Sequence, residues 1–422
     1  MAKMNIAEIK EHYKFHPEDK LYSLKHPKDN HLMLFTREGM KRLWQIVRRG
    51  MKFIGPERSK YDLKTTVAGL ENLFLIRLCD DPSSINDEGA HELFTQVLVE
   101  LSKKFVSSTH HIPCSLAAHR SPAEFQIGPV EFQLSAAFWK KNEKAIIDTL
   151  KHELQHDPIK HFFTQQWWVA SVDVDPCDPI IAERRAIEAV QSSLDLFKLF
   201  VGSGRAARVG HAYVAGLPRH SSRLYSDKNG FHLTQSWSSG NAVVKDNWLD
   251  DVINFLPWVF GAEMIIRRLR AWERLPDPEQ RFLDALAWHG EGISELNPAA
   301  RILKLWAAIE RTVSLKIRDK IEARAAILSA EATDFFQQFK RCQRLYSLRS
   351  EIVHGTYQGD EEKLRSSSIE TEKVSQAVIT SYAFIAGQLK AANRLTRAAV
   401  EGEFKRLDDI VLRIQNRKSS VS

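Results

Sequence analysis

The chain has 422 residues, of which 43% are hydrophobic and 27% are charged. This composition is ordinary for a globular protein with a sizeable core, and it excludes a largely disordered chain. The formal net charge of +7 permits a polyanionic partner but is too small to identify one.

The sequence shows no pattern for membrane insertion or export. The longest apolar runs, at residues 73–78 and 258–266, are far shorter than the roughly 20 residues that cross a bilayer as a helix. Residues 1–13 alternate charged and apolar side chains and lack the features of a signal peptide. We therefore predict a cytoplasmic protein with no membrane contact.

The first part of the chain mixes helix and strand patterns. Apolar residues recur at helical spacing over 36–53 and over 87–104, which predicts two helices. Apolar and polar residues then alternate over 125–134 on both sides of Gly128 and Pro129. This alternation around turn-forming residues predicts two short strands joined by a tight turn.

The patterns that follow alternate between helix and strand. A helix is predicted over 136–156, where a proline two residues later ends it. A run of aromatic and β-branched residues over 161–174 predicts a strand, and a helix over 178–200 follows. Residues 202–240 are rich in Gly and Ser and indicate strands and loops.

From residue 246 onward strand patterns nearly vanish. The predicted helices cover residues 246–272, 278–289, 298–317, 319–329, 331–354, 371–390 and 396–415. The prolines at 276 and 278 mark the best domain boundary. The predicted fold is therefore an α+β region over residues 1–275 followed by an all-α helical bundle over residues 276–422.

One segment of this helical region, residues 345–355, has a composition suited to chemistry. It contains Arg349 and His354 near a predicted helix end, and Gly355 stands where a left-handed helix cap is expected. On a regular helix five residues turn by about 140°, so the two side chains do not form one tight cluster. Their convergence requires either a local helix distortion or a second copy of the domain.

Metal-free RNA cleavage needs three groups that this segment can supply. A base removes the proton of the 2′-hydroxyl, an acid protonates the leaving 5′-oxygen, and a fixed cation balances the charge of the phosphorane. His354 suits proton transfer, because imidazole changes charge near neutral pH. Arg349 suits the cation role, because guanidinium is always charged and binds phosphate through two N–H groups.

The segment Leu-Tyr-x-x-Arg-Ser-x-Ile-Val-His-Gly resembles the signature of the HEPN superfamily, and of its Apea-like group in particular. The resemblance extends upstream through residues 281–288, 302–310 and 320–328, and covers about a third of the chain. It implies a helical bundle that forms a homodimer, aligns two Arg-His pairs in a cleft and cuts RNA without metal or other cofactor. Many such proteins resemble toxins or antiviral abortive-infection effectors.

Within this resemblance, three further residues take supporting roles. Ser350 follows the arginine, where it orients phosphate or histidine, unless its hydroxyl only bonds back to its own helix. Glu310 is a candidate to hold Arg349 in place, although a surface helix glutamate is commoner. Tyr346 is expected in an interface or a core rather than as a stacking platform for a base. Residues 1–275 are predicted to sense a signal or to position the substrate.

Two other function classes remain open. One is a HEPN dimer that binds RNA or a nucleotide without cutting it. The other is a zinc metallopeptidase, since His152, Glu153 and His156 have the spacing of a two-histidine helical zinc site. A proline at 158 ends that helix, and the convenient third ligands are acidic residues on the next one, Glu183 and Glu188. We therefore interpret this zinc pattern as a decoy and predict no metal site.

Overall fold

The structure is a computed structural model of the chain. It describes residues 22–25, 32–35, 45, 48, 55–80, 87–115, 124–150, 168–201, 210–211, 223–227, 230–234, 248–271, 274–314, 320–330 and 335–419. These residues form two compact units. The first lies within residues 1–108 and 174–185, and the second lies within residues 109–173 and 186–422.

The first unit contains an antiparallel hairpin, a 3₁₀ turn and a helix pair. Their bounds are β1 Tyr22–Lys25, β2 Leu32–Phe35, the 3₁₀ turn Gly55–Lys60, α1 Leu63–Asp80 and α2 Asp87–Ser102. The carboxylate of Asp62 accepts the backbone N–H of Thr65 at 3.0 Å and so caps α1. Helix α2 confirms the prediction over 87–104. The predicted helix over 36–53 lies outside the described residues except at positions 45 and 48, which are helical.

A five-stranded sheet of order β4-β5-β6-β3-β7 lies mainly in the second unit. The strands are β3 Val106–Ser115, β4 Glu124–Ile127, β5 Val130–Leu134, β6 Trp168–Cys177 and β7 Gly210–His211. Strands β4 and β5 pair antiparallel around Gly128, which has a φ of +59°. The hairpin predicted over 125–134 is therefore confirmed. A separate hairpin joins β8 Arg223–Asp227 to β9 Gly230–Thr234.

Two helices accompany this sheet, α3 Ser135–Leu150 and α4 Pro179–Val201. They agree with the helices predicted over 136–156 and 178–200, although the end of the first prediction lies outside the described residues. The predicted strand over 161–174 is described only from Trp168, where β6 begins. From Ala186 onward α4 packs on the sheet, since the hydroxyl of Ser193 donates to the carbonyl of Ile127 at 3.0 Å.

From residue 248 onward every element that the structure describes is a helix. The elements are α5 Trp248–Val252, α6 Leu256–Arg270, α7 Asp277–Ser294, α8 Pro298–Val313, α9 Ile321–Ser329, α10 Phe335–Val353, α11 Glu361–Ala391 and α12 Arg397–Ser419. The helix predicted over 246–272 is two helices. Pro257 lies in the first turn of α6 and lacks the N–H that a continuous helix would donate to the carbonyl of Ile253, so α5 does not run on into α6.

Helix α11 is the centre of the bundle and packs against α6, α7, α8, α9, α10 and α12. It begins at Glu361, ten residues before the predicted start at 371. Asp360 caps it by accepting the N–H of Lys363 at 2.6 Å, and acidic residues in its first turn complement the helix dipole. The core cluster beside α10 draws on four helices and consists of Trp306, Ile309, Val313, Ala325, Ala326, Cys342, Leu345, Val374 and Val378.

The coarse fold prediction is confirmed, since a region with strands and helices precedes a region of helices. The predicted boundary at residue 275 lies inside the second unit, where α6 packs against α7 and α11. The role given to residues 1–275 stays a prediction. In the part of the chain that the structure describes, none of the helices combines the length and the apolar character needed to span a bilayer.

Candidate functional site at the end of helix α10

Helix α10 has one buried side and one exposed side. Its buried residues Cys342, Leu345 and Leu348 recur at spacings of three and face α8 and α9. Tyr346 is half-buried and packs against this core, with its ring centroid 5.7 Å from that of Trp306. The structure therefore places Tyr346 in the core packing, as the sequence analysis favoured, and away from the position of a stacking platform.

The end of α10 is closed by a tight cap. Gly355 has a φ of +68°, the left-handed conformation that glycine adopts without strain. Its N–H donates to the carbonyl of Ile352 at 3.2 Å, and the N–H of Thr356 donates to the carbonyl of Glu351 at 2.9 Å. These two bonds form a Schellman motif, which satisfies the carbonyls of Glu351 and Ile352 in the last turn of the helix. The cap predicted at Gly355 is confirmed, and it fixes the backbone on which His354 stands.

His354 stands directly after the last helical residue and its side chain is exposed. Its backbone N–H still donates to the carbonyl of Ser350 at 3.0 Å, so the helical path continues to this residue. Ser350 is half-buried and lies one turn before His354. The imidazole of His354 is therefore accessible to a ligand.

Arg349 lies in the last full turn of α10 and turns toward α8. Its Nη2 is 3.3 Å from Oε1 of Glu310, and the two side chains are 30% and 29% exposed. Glu310 stands in the last turn of α8, which packs against α10. The contact that the sequence analysis considered for Glu310 is thus present. It restricts the guanidinium while leaving part of it open to a ligand.

Arg349 and His354 point to different sides of α10. The helix is regular through residue 353, and no distortion brings the two side chains together. A regular helix sets them about 140° apart. The buried neighbours of Arg349 and the exposure of His354 agree with this geometry. Within one chain the two side chains therefore do not converge.

A second group of polar side chains, which the sequence analysis missed, lies in the interior of the second unit. Asp195 and Lys198 of α4 form a buried ion pair at 3.1 Å. The Lys198 ammonium also donates to the carbonyl of Gly290 at 3.4 Å. On α7, Nδ1 of His289 lies 3.0 Å from the hydroxyl of Ser375 on α11. A charged pair inside the apolar run Leu-Asp-Leu-Phe-Lys-Leu-Phe was the available signal for this buried cluster.

Burial changes the pKa of two titratable groups in this cluster, Asp195 and His289. It raises the pKa of the Asp195 carboxyl to about 6, against the opposing effect of Lys198. It lowers the pKa of His289 to about 3, and the nearby cations of Arg301 and Lys198 act in the same direction. At neutral pH His289 is therefore an uncharged, fully enclosed hydrogen-bonding residue with no access for a substrate.

The zinc pattern at His152, Glu153 and His156 lies outside the described residues. Its candidate third ligands, Glu183 and Glu188, are exposed on α4. In the described ranges no three His, Cys, Asp or Glu side chains form a group that could hold a metal ion.

Comparison of this chain with protein-family models, with curated proteins and with solved structures finds no match. The geometry at the end of α10 and the sequence of that segment therefore carry the functional argument.

Proposed function

We propose that this protein is a homodimeric endoribonuclease of the HEPN type that cleaves RNA without a metal ion. The observation that carries the proposal is that the same helix end presents an exposed His354 at its cap and, in the preceding turn, an Arg349 restrained by Glu310. These are the proton-transfer group and the fixed cation that the reaction needs. The resemblance of residues 345–355 to the HEPN signature supports the same chemistry.

The reaction follows from these two side chains. His354 takes the proton of a ribose 2′-hydroxyl, and the resulting oxygen attacks the adjacent phosphorus. Arg349 stabilises the charge on the phosphorane oxygens through its N–H groups. The bond to the 5′-oxygen then breaks, and that oxygen takes a proton from an imidazolium. The products are a 2′,3′-cyclic phosphate and a 5′-hydroxyl, with no net gain or loss of protons.

A dimer follows from the direction of the two side chains. Because Arg349 and His354 of one chain point about 140° apart, one ribose phosphate meets both groups only when two chains contribute. In this proposal Arg349 of one protomer and His354 of its partner act on the same phosphate. Residues 1–275 would sense a signal or position the RNA, and the implied biological role is that of a toxin or an anti-phage effector.

The direct test is RNA cleavage by purified full-length protein in the presence of EDTA. We expect the wild-type protein to remain active, and His354→Ala and Arg349→Ala to lose activity by at least about 100-fold, the usual loss for a general acid–base group or an oxyanion donor. A fragment ending in a 2′,3′-cyclic phosphate is the expected product. Cleavage that survives both substitutions, or that chelation abolishes, would reject the proposal.

Mixing the two inactive variants tests the shared site. A mixed dimer of His354→Ala and Arg349→Ala chains carries one intact Arg-His combination. With random exchange of protomers we expect recovery of about a quarter of the wild-type activity. No recovery after verified exchange would show that each chain uses its own Arg349 and His354.

A second candidate is a dimer that binds RNA or a nucleotide without cutting it. The observation that favours it is the ion pair of Arg349 with Glu310, which engages the cation before any phosphate arrives. Tight RNA binding by wild-type protein, with no product after long incubation, would select this candidate.

A further inference from the structure

The exposed side of α10 carries a straight line of polar residues that ends at His354. If the direction of Lys340 around the helix axis is taken as zero, Arg344 lies about 40° to one side and His354 about 40° to the other. Between them on the same side are the exposed Ser347 and Glu351. The line from Lys340 to His354 is about 21 Å long at the rise of an α-helix. A linear ligand lying on it would meet His354 at one end.

Positive charge dominates the part of this line that is distant from His354. Lys340, Arg341 and Arg344 are all exposed, and Lys373 of α11 is exposed nearby, three residues after Glu370. Glu370 contacts the guanidinium of Arg344 and lies 3.9 Å from that of Arg341. Among these five side chains, four cations outnumber the single carboxylate of Glu370, which leaves an excess of positive charge on this part of the surface.

We propose that this surface, called the α10 stripe and formed by Lys340, Arg341, Arg344 and Lys373, binds the phosphate backbone of single-stranded RNA and leads it to His354. The inference rests on the proposed function, since it assigns the substrate of that site. Exposed cations bind polyanions through release of counterions. Lys340 and Arg344 of this stripe are on the His354 side of α10, so RNA bound to them on one protomer approaches the His354 of that protomer and the partner's Arg349.

The stripe binds charge and has no aromatic side chain on which bases could stack. The aromatic residues of α10 do not join it: Phe335, Phe339 and Tyr346 pack against the core, and Phe336 is half-buried against Phe335. Base stacking on aromatic side chains is therefore absent from the exposed side of this helix. Binding is expected to depend weakly on RNA sequence and strongly on salt. Single-stranded DNA should bind to the stripe as well, because the stripe contacts phosphates and not 2′-hydroxyls.

The test measures binding apart from cleavage. Full-length protein carrying His354→Ala is titrated with a fluorescent oligouridine of 20 nucleotides, and anisotropy is recorded at several salt concentrations. In this background we expect Lys340→Glu with Arg344→Glu to weaken binding by roughly 25-fold or more at 0.1 M salt, as the loss of two phosphate contacts implies. The dependence of log Kd on log salt should fall by about 1.4.

The matched control is Lys405→Glu with Arg406→Glu, which makes the same charge change on exposed residues of α12. It should alter binding much less. A variant expected to act in the opposite direction is Glu351→Gln, which removes the one acidic side chain of α10 and should tighten RNA binding several-fold. Circular dichroism and melting temperature verify that each variant is folded.

The outcomes separate this inference from the proposed function. Equal weakening by the stripe and control variants, or no weakening by the stripe variant, overturns the α10 stripe even if wild-type protein cleaves RNA. Selective weakening by the stripe variant supports the stripe even if no RNA is ever cut. An oligothymidine that binds in the same way, and competes with cleavage of RNA, supports both.

Discussion

The second unit holds two groups that each combine a histidine, a cation and a carboxylate, and they differ mainly in burial. In the buried cluster His289, Asp195 and Lys198 are enclosed by α4, α7 and α11. At the end of α10, His354 is exposed and Arg349 shares a half-exposed contact with Glu310. A histidine, a cation and a carboxylate thus occur together twice, once in the interior and once near the surface.

This difference separates structure from chemistry. In the interior, burial raises the pKa of Asp195 and lowers that of His289, and each side chain is committed to partners within the fold. Near the surface, solvent screens the ion pair, and little energy holds it together. We therefore expect substitutions in the buried cluster to change stability, and substitutions at the end of α10 to change activity.

The largest expected effect on stability is that of Lys198→Met. This change leaves the Asp195 carboxylate buried without its cation, which typically costs 3–5 kcal/mol, on the order of a large core truncation. The corresponding change at the other group, Arg349→Met, removes a half-exposed pair and should cost less than about 1 kcal/mol. Urea unfolding at pH 7 measures both.

The double variant Asp195→Asn with Lys198→Met is the control for this prediction. Because it removes both charges, it should recover much of the stability that Lys198→Met loses. A double variant as unstable as Lys198→Met would show that packing of the lysine, rather than the buried charge, causes the loss.

The next effect is on the pH dependence of stability, where Asp195 and His289 act in opposite directions. The pKa of Asp195 is raised to about 6, so its contribution to folding stability is fully present below pH 3.8, its ordinary pKa, and is lost as the pH rises through 6. The pKa of His289 is lowered to about 3, so its contribution to folding stability is fully present above pH 6.5, its ordinary pKa, and is lost as the pH falls from 6.5 toward 3.

Urea unfolding at pH 7, 6 and 5 separates the two contributions. Relative to wild type, His289→Asn should lose less unfolding free energy on acidification, because it removes the group that resists protonation. Asp195→Asn should lose more, because it removes the group that gains protonation in the folded state. Parallel pH profiles for all three proteins would contradict the assignment of these shifts to burial.

Part of the fold could be predicted because local patterns determine it. The hairpin around Gly128 and the helices α4, α7, α8 and α9 have clear periodicity and end signals, such as the cap of Asn297 on Ala300. The start of α11 was missed because residues 361–370 are mostly polar and show no apolar stripe. Its signal was the aspartate cap at Asp360 followed by two glutamates, which marks a helix start without any apolar pattern.

The candidate site was predictable to a similar extent. The cap at Gly355 followed from a glycine placed directly after a predicted helix end, whereas the contact of Glu310 with Arg349 was the less common of two alternatives considered under the family resemblance. The buried cluster did not follow from the sequence, because Asp195 and His289 are far apart in the chain and only packing brings α4 against α7. A sequence shows which residues can ionise, but burial decides which of them remain free to react.

A smaller effect, on both stability and activity, is expected at the helix cap. Gly355→Ala places a side chain on a backbone with positive φ, which costs roughly 1–2 kcal/mol. The missing Cβ would meet nothing within 4 Å, so conformation alone causes the loss. Since the cap positions His354, RNA cleavage should fall as well.

Gly402→Ala is the matched control, because this exposed glycine lies within α12 and its Cβ would also meet nothing within 4 Å. It should raise stability by roughly 0.5–1 kcal/mol, since alanine is the better helix former. Melting curves and cleavage rates measure both variants. A Gly355→Ala protein as stable and as active as wild type would show that the cap does not position His354.

The smallest effect on stability, and the sharpest comparison, is that of Glu310→Gln. The pair with Arg349 is half-exposed, so the variant should lose less than about 1 kcal/mol. Its cleavage rate should nevertheless fall several-fold, because Arg349 is no longer held beside α8. The buried counterpart Glu372→Gln removes the partner of Arg301 and should lower stability more than it lowers the cleavage rate. If Glu310→Gln instead binds RNA more tightly and cleaves faster, the glutamate competes with phosphate for Arg349, and its role is to hold the site inactive.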